Sequence, residues 1–369
     1  MYDPRINKLA NVIVNYSLDI KPGEHLLIRS NPLAEPLIKA VYKEAIKKRA
    51  YVTPMINLEG LDEIFFKHAS KEQLEYVSPL NEYLIDNFDA FLSIGAEYNT
   101  KNLSGVDSEK IATLRRARSH LDTKFMEKAA KGELKWCYTE FPTHASAQEA
   151  NMSLEEYQDF VFEAGLLDKE DPISHWKEID KKQKKIIDYL ETKSKLQIIS
   201  KDTDLTMNIS GRKWINCSGK ENFPDGEIFT APIEDSVQGH IRFNFPGIYA
   251  GKEIEDIRLQ FENGKVISYE ASKGEDLLKA LLDTDEGARY VGEVAIGTNY
   301  GITNFTRNML FDEKIGGTVH LAVGSTYPES GGKNESGIHW DMLCDMKSEG
   351  EIYADGELIF KNGEFTINL

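Results

Sequence analysis

The punctuation of this chain changes partway along its length. The later portion carries three two-residue turns, Asn263-Gly264, Asp355-Gly356 and Asn362-Gly363, set between short β-type runs. Both central positions of a tight hairpin turn need positive φ, which Asn, Asp and Gly tolerate, so each pair commits its flanks to antiparallel strands. Residues 258–261 and 266–270 form one such hairpin around Asn263-Gly264. Further short runs at 196–199, 204–209, 241–245 and 257–262 share this composition, with one helix at 274–282.

The earlier portion follows another rule. Ile6, Leu9, Ala10, Ile13 and Val14 fall at helical spacing over residues 6–16, and Pro22-Gly23 then turns the chain into an apolar strand at 25–29. A second helix at 33–48 ends in Lys47, Lys48 and Arg49, cations that suit a helix C-terminus, and a strand follows at 51–56. The alternation continues with helix over 61–88, strand 90–94, helix 108–131 and strand 135–139. Strand-helix-strand units of this length make parallel crossovers, so about four parallel strands are expected in an open sheet. A polar helix at 173–194, with Ile179, Ile186, Ile187 and Leu190 along one side, reads as the connection. The expected fold is therefore an N-terminal open parallel α/β domain, 1–190, and a C-terminal antiparallel β-rich domain, 191–369. A length of 369 residues exceeds what one core serves.

Composition narrows the partners. The 44 basic and 61 acidic side chains leave a net charge of -17, which repels nucleic acid and anionic membranes and attracts divalent cations. No apolar run approaches the ~18 residues of a membrane span. Asp3 and Pro4 stand where a signal peptide would need basic and then apolar residues, so a cytoplasmic protein is expected. Cys137, Cys217 and Cys344 are too scattered for a disulfide framework or a thiolate zinc site and read as reduced, buried thiols. Neither a Gly-x-Gly-x-x-Gly nor a Gly-x-x-x-x-Gly-Lys-Ser loop follows any strand.

The chemistry concentrates late in the chain. In an extended strand, His339 and Asp341 of Gly337-Ile338-His339-Trp340-Asp341 point the same way and offer two ligands to one ion. His320 and Tyr327 lie shortly before them. Glu293, in Gly292-Glu293-Val294-Ala295, and Glu227, after Asp225-Gly226, have apolar neighbours, where a carboxylate is costly to bury unless paired or metal-bound. Glu227, Glu293, His320, Tyr327, His339 and Asp341 exceed what one tetrahedral ion takes. Two divalent ions sharing a carboxylate accommodate them, with Glu293 or Glu227 as the bridge and either glutamate as base. Three carboxylates and a hydroxide would balance the four positive charges. Nitrogen and oxygen donors without thiolate suit zinc, cobalt or manganese.

These motifs, together with Thr318-Val319-His320-Leu321-Ala322-Val323-Gly324, Tyr327-Pro328 and the run 222–236, resemble the thermophilic metalloaminopeptidase family that includes aminopeptidases T and S. The likeness extends through residues 16–29 and 136–142 to nearly the whole chain. It implies a cytoplasmic homodimer with two divalent metal ions per subunit that removes N-terminal residues from peptides. Position by position it implies that Glu227, Glu293, His320, Tyr327, His339 and Asp341 form the metal site, with Glu227, Glu293 and Tyr327 catalytic. Many members have a longer stretch than 328–338 between tyrosine and His-x-Asp, so the pocket rim differs here. A dipeptidase, a deacylase or a non-catalytic metal-stabilised binding protein are the alternatives that the residues leave open. His25, His68, His120, His144, His175 and His240 read as ordinary histidines, with His240 able to line a cleft, and Trp136, Thr139 and Thr143 as possible cavity walls at a strand end.

Overall fold

The computed structural model describes residues 3–249 and 251–367. It divides into two compact units, one of Met1–Ile173 with Gly219–Pro224, the other of Ser174–Ser218 with Asp225–Leu369. Among the described residues no helix is long and apolar enough to cross a membrane.

In the first unit an all-parallel sheet runs in the order Tyr51–Ile56, His25–Ser30, Ala90–Gly95, Lys135–Glu140, Asn222–Phe223. Leu26, Leu27 and Ile28 are consecutive and fully buried, as a strand covered on both faces requires. Burying each contributes roughly 1.5–3 kcal/mol. The fifth strand was not legible beforehand, because Asn222–Phe223 reaches this sheet from far along the chain. The helical stretch at 61–88 breaks into Leu61–His68, Lys71–Glu75 and Pro79–Asn87. Ser70 and Gln73 form a reciprocal capping box that starts the second piece, and Pro79 starts the third.

In the second unit an eight-stranded antiparallel sheet extends from Lys265–Glu270 at one edge to Glu364–Phe365 at the other. Ile257–Glu262 alternates buried and exposed residues without exception, and Asn263-Gly264 closes its hairpin, both in positive φ. The strand expected at 241–245 is Gln238–Phe243, aligned by pairing Gly239 through Phe243 with Phe261 through Ile257. A second antiparallel sheet runs His339–Asp345, Thr318–Gly324, Val291–Gly297, Glu227–Thr230, Ile215–Cys217. Ile257, Leu259 and Phe261 of the first sheet join Val294, Ile296, Val319 and Leu321 of the second in one apolar cluster. The helix Pro172–Leu190 adds Ile186, Ile187 and Leu190 to that cluster.

Candidate metal centre

Every residue of Val291–Gly297 and of Thr318–Gly324 is buried, so both faces of this five-stranded sheet are covered. One face is apolar core. The other carries the candidate donors, and strand pairing shows how they come together.

Residues directly opposite on antiparallel strands share a face. Glu293 is opposite Ala322, which is opposite Asp341; His320 is opposite Ala295; His339 is opposite Gly324; Glu227 is opposite Gly297. Each donor thus has alanine or glycine beside it, leaving room for the longer side chains to lean together. A register shift between Val291 and Glu293 sets the aim of Glu293. Gly292 supplies it, since a Cβ there would come 2.3 Å from the Ser325 carbonyl oxygen. On the opposite face Trp340 is buried and its indole Nε1 donates to the Ile248 carbonyl at 3.0 Å, which pins the strand bearing His339 and Asp341.

The ligand atoms gather into overlapping groups whose members lie within 4.8 Å of one another. One is Glu227, Glu293 and His320; a second is Glu293, His339 and Asp341; a third is Glu313, His320 and Asp341. Glu293 belongs to the first two. His320 Nε2 lies 3.2 Å from Glu293 Oε1 and 3.2 Å from Glu227 Oε2, and His339 Nε2 lies 3.6 Å from both Glu293 Oε2 and Asp341 Oδ2. His339 Nδ1 stands 2.7 Å from the Ser325 carbonyl oxygen. Donating to that carbonyl fixes the tautomer and turns the Nε2 lone pair toward the carboxylates, the usual arrangement around a metal-ligating imidazole.

The cluster fits a cation. Glu227 Oε2, His320 Nδ1 and Asp341 Oδ1 are buried with no hydrogen-bond partner among the described residues. Burial pushes the Glu227 carboxyl up to about 8 despite Lys314, and the Asp341 carboxyl up to about 6 despite His339. Burial disfavours the His320 imidazolium, but the Glu293 hydrogen bond and the Glu227 charge outweigh it and lift its pKa to about 9. Each of these shifts favours added positive charge at the cluster, which a divalent ion would supply.

Tyr327 stands at the edge of the group. Its ring meets His339 edge-on, with centroids 5.0 Å apart, and lies 5.5 Å from Phe229. Although 42% of the residue is exposed, partial burial and then the Glu293 and Asp341 carboxylates push its pKa up, so it stays a protonated donor.

Several contributors were invisible in the sequence. Gln183 is buried on the helix Pro172–Leu190, and its amide nitrogen donates to the Glu227 carbonyl at 2.9 Å, the Cys217 carbonyl at 3.1 Å and Thr298 Oγ1 at 2.9 Å. It ties Glu227 to its neighbouring strands. Gly226 has φ +124° and passes so close to Asn299 that a Cβ would meet the Asn299 Cβ at 2.7 Å, so the turn into Glu227 needs glycine. Lys314 reads as a surface lysine yet has no exposed side-chain area; its Nζ lies 3.4 Å from Glu227 Oε1 and contacts Glu313 Oε1. The added carboxylate and the added ammonium offset each other in the charge sum. Cys217 is only partly buried, and its thiol joins Asp225 and Glu227 in a further group.

The fold also gives the surroundings of three further residues. His240 is exposed on the eight-stranded sheet, opposite Gln260 and Asp204, and joins no donor group among the described residues. Trp136 packs against the apolar cluster around Leu27 and Phe91, and Thr143 caps the helix His144–Glu149 by accepting from the Ser146 amide at 3.2 Å.

Comparison with known proteins places this geometry in context. Residues 2–365 match the family model described as thermophilic metalloprotease (M29). Aminopeptidase 2 of Geobacillus stearothermophilus is 30% identical, with 100% of this chain and 99% of that protein covered. Aminopeptidase AmpS of Bacillus subtilis (strain 168) is 29% identical, covering 99% of each. The solved structure of wild-type AmpT from Thermus thermophilus superposes with a TM-score of 0.87 at 24% identity over 100% of both chains, so the fold is shared throughout. With a family match across almost its full length, and buried and half-buried histidines and carboxylates gathered on one sheet, this chain belongs to the M29 family of thermophilic metalloproteases.

Proposed function

We propose that the protein is a two-metal aminopeptidase that removes N-terminal residues from peptides, with its catalytic machinery within residues 191–369. The observation that carries the reading is the sharing of Glu293 between two donor groups. Glu227 and His320 lie on one side of it, His339 and Asp341 on the other. Glu227, His320, Glu293, His339 and Asp341 would hold two divalent ions, and their nitrogen and oxygen donors suit zinc, cobalt or manganese. The names of relatives aligned end to end, among them aminopeptidase PepS of Streptococcus thermophilus at 26% identity, support an exopeptidase. We infer further a cytoplasmic homodimer.

Ions held there supply Lewis acidity, acidifying water and polarising the scissile carbonyl. The protein's own groups do the rest. Glu293 holds both positions at once, the Ser325 carbonyl keeps His339 in one tautomer, and Gln183 anchors the strand that presents Glu227. Tyr327, protonated and beside His339, donates to the oxyanion as the carbonyl carbon becomes tetrahedral. Tyr327→Phe is expected to lower kcat by about 10²-fold with metal content unchanged. An unaltered kcat would remove Tyr327 from the chemistry.

The test of the function is a panel of matched peptides with free and N-acetylated termini, assayed on metal-reconstituted protein. Release of the first residue from free-amine peptides alone is expected. Comparable cleavage of acetylated peptides would overturn the assignment in favour of a deacylase.

A further inference from the structure

The three donor groups that include His320 or His339 contain one carboxylate that the two ions do not need. Glu227, His320, Glu293, His339 and Asp341 already make up two complete groups around the shared Glu293. Glu313 falls outside both, yet an oxygen of its side chain lies within 4.8 Å of donor atoms of His320, which belongs to one group, and of Asp341, which belongs to the other. It therefore faces the seam between them. Unlike the others it does not come from the sheet: it caps the C-terminus of the short helix Met309–Asp312.

We propose that Glu313 is the general base of the reaction, the carboxylate that takes a proton from the attacking water, and that Lys314 is the residue that positions it. The inference rests on the two-metal reading above. The ammonium of Lys314, with no exposed area, contacts Glu313 Oε1 and lies 3.4 Å from Glu227 Oε1. The ammonium contacts Glu313 more closely than Glu227, and the positive charge beside it offsets the attraction that Glu313 would otherwise exert on a dication, which favours Glu227 over Glu313 as a ligand. The pairing also occupies one oxygen of Glu313 and leaves the other free. Of the four carboxylates in these groups Glu313 is the most accessible, with 20% of its side chain exposed against 12% for Asp341, 7% for Glu227 and 6% for Glu293. A group that must pass a proton to a departing amine needs that access.

The step balances without a further reactant. An O–H bond of water breaks, its proton passes to the free oxygen of Glu313, and the water oxygen bonds to the scissile carbonyl carbon. The C–N bond then breaks, and the proton moves from Glu313 to the leaving nitrogen. One water is consumed and nothing is oxidised or reduced.

Glu313→Gln separates a base from a ligand. The expected result is a fall in kcat of about 10²–10⁴-fold, with KM little changed. Bound metal by elemental analysis, and the visible spectrum of the cobalt-substituted protein, should match those of the parent. Loss of metal together with activity would make Glu313 a ligand and overturn the proposal, as would parental kcat at full metal content. Glu293→Gln, measured in parallel, keeps the two readings apart. An inactive Glu293→Gln beside an active Glu313→Gln removes only the base, whereas an active Glu293→Gln removes the two-metal reading itself.

Discussion

Glu293→Gln is expected to abolish peptide hydrolysis, with kcat/KM falling by at least about 10³-fold, equivalent to roughly 4 kcal/mol of transition-state stabilisation. The effect exceeds that of losing an ordinary ligand because one side chain serves both donor groups. Glutamine keeps the shape of glutamate and its place opposite Ala322, so the sheet should survive while the charge that holds two cations together is gone. Circular dichroism should therefore be unchanged, and elemental analysis should show depleted metal. Near-parental turnover in this variant would sink the assignment of Glu293.

Removal of metal should have an equally large effect. Exhaustive EDTA treatment, with removal confirmed by elemental analysis, is expected to eliminate activity, and zinc, cobalt or manganese to restore it. Full activity in verified metal-free protein would exclude metal catalysis. The stripped protein should also carry a pH signature. The folded-state pKa values of Glu227, Asp341 and His320 are raised to about 8, about 6 and about 9. A raised value means that the folded state holds a proton the unfolded chain has already released. Each group's contribution is thus complete below its unfolded pKa and is lost as pH rises through the folded one. Metal-free protein should melt lower at pH 9 than at pH 5, by several degrees at about 2–4 °C per kcal/mol for a unit of this size. Added metal competes with the same protons, so the gap in Tm between loaded and stripped protein should widen over that interval. A gap that is constant with pH would mean these groups do not hold the ion.

Much of the candidate site is legible in the sequence because it obeys a local rule. His339 and Asp341 are two apart on a strand, and Glu293 and Glu227 stand out as carboxylates among apolar neighbours. What could not be read is the pairing between strands distant in sequence. That Ala322 lies between Glu293 and Asp341, and that Glu293 comes within reach of His320 as well as of His339 and Asp341, follow from a register and a bulge. Glu313 and Lys314 were missed for a different reason. In Phe311-Asp312-Glu313-Lys314-Ile315 an acidic and a basic residue side by side have the composition of a solvated turn, and only the tertiary fold covers Lys314 completely. The first unit was legible as far as each strand was followed by its own helix. The strand Asn222–Phe223, which returns to the sheet from elsewhere, and the split of 61–88 into three helices escaped that rule.

The alternation along His339–Asp345 has one more consequence. His339 and Asp341 face the donors, while Trp340, Met342 and Cys344 lie in the apolar cluster. A slip of one residue against Thr318–Gly324 would leave every donor in the chain, yet exchange the two sets and bury an imidazole and a carboxylate in oil. The backbone hydrogen bonds of this sheet are in that sense the protein's memory for its own chemistry. Mutations far from any donor, if they shift the alignment, would erase function as surely as deleting a ligand, and an inventory of side chains would register no loss.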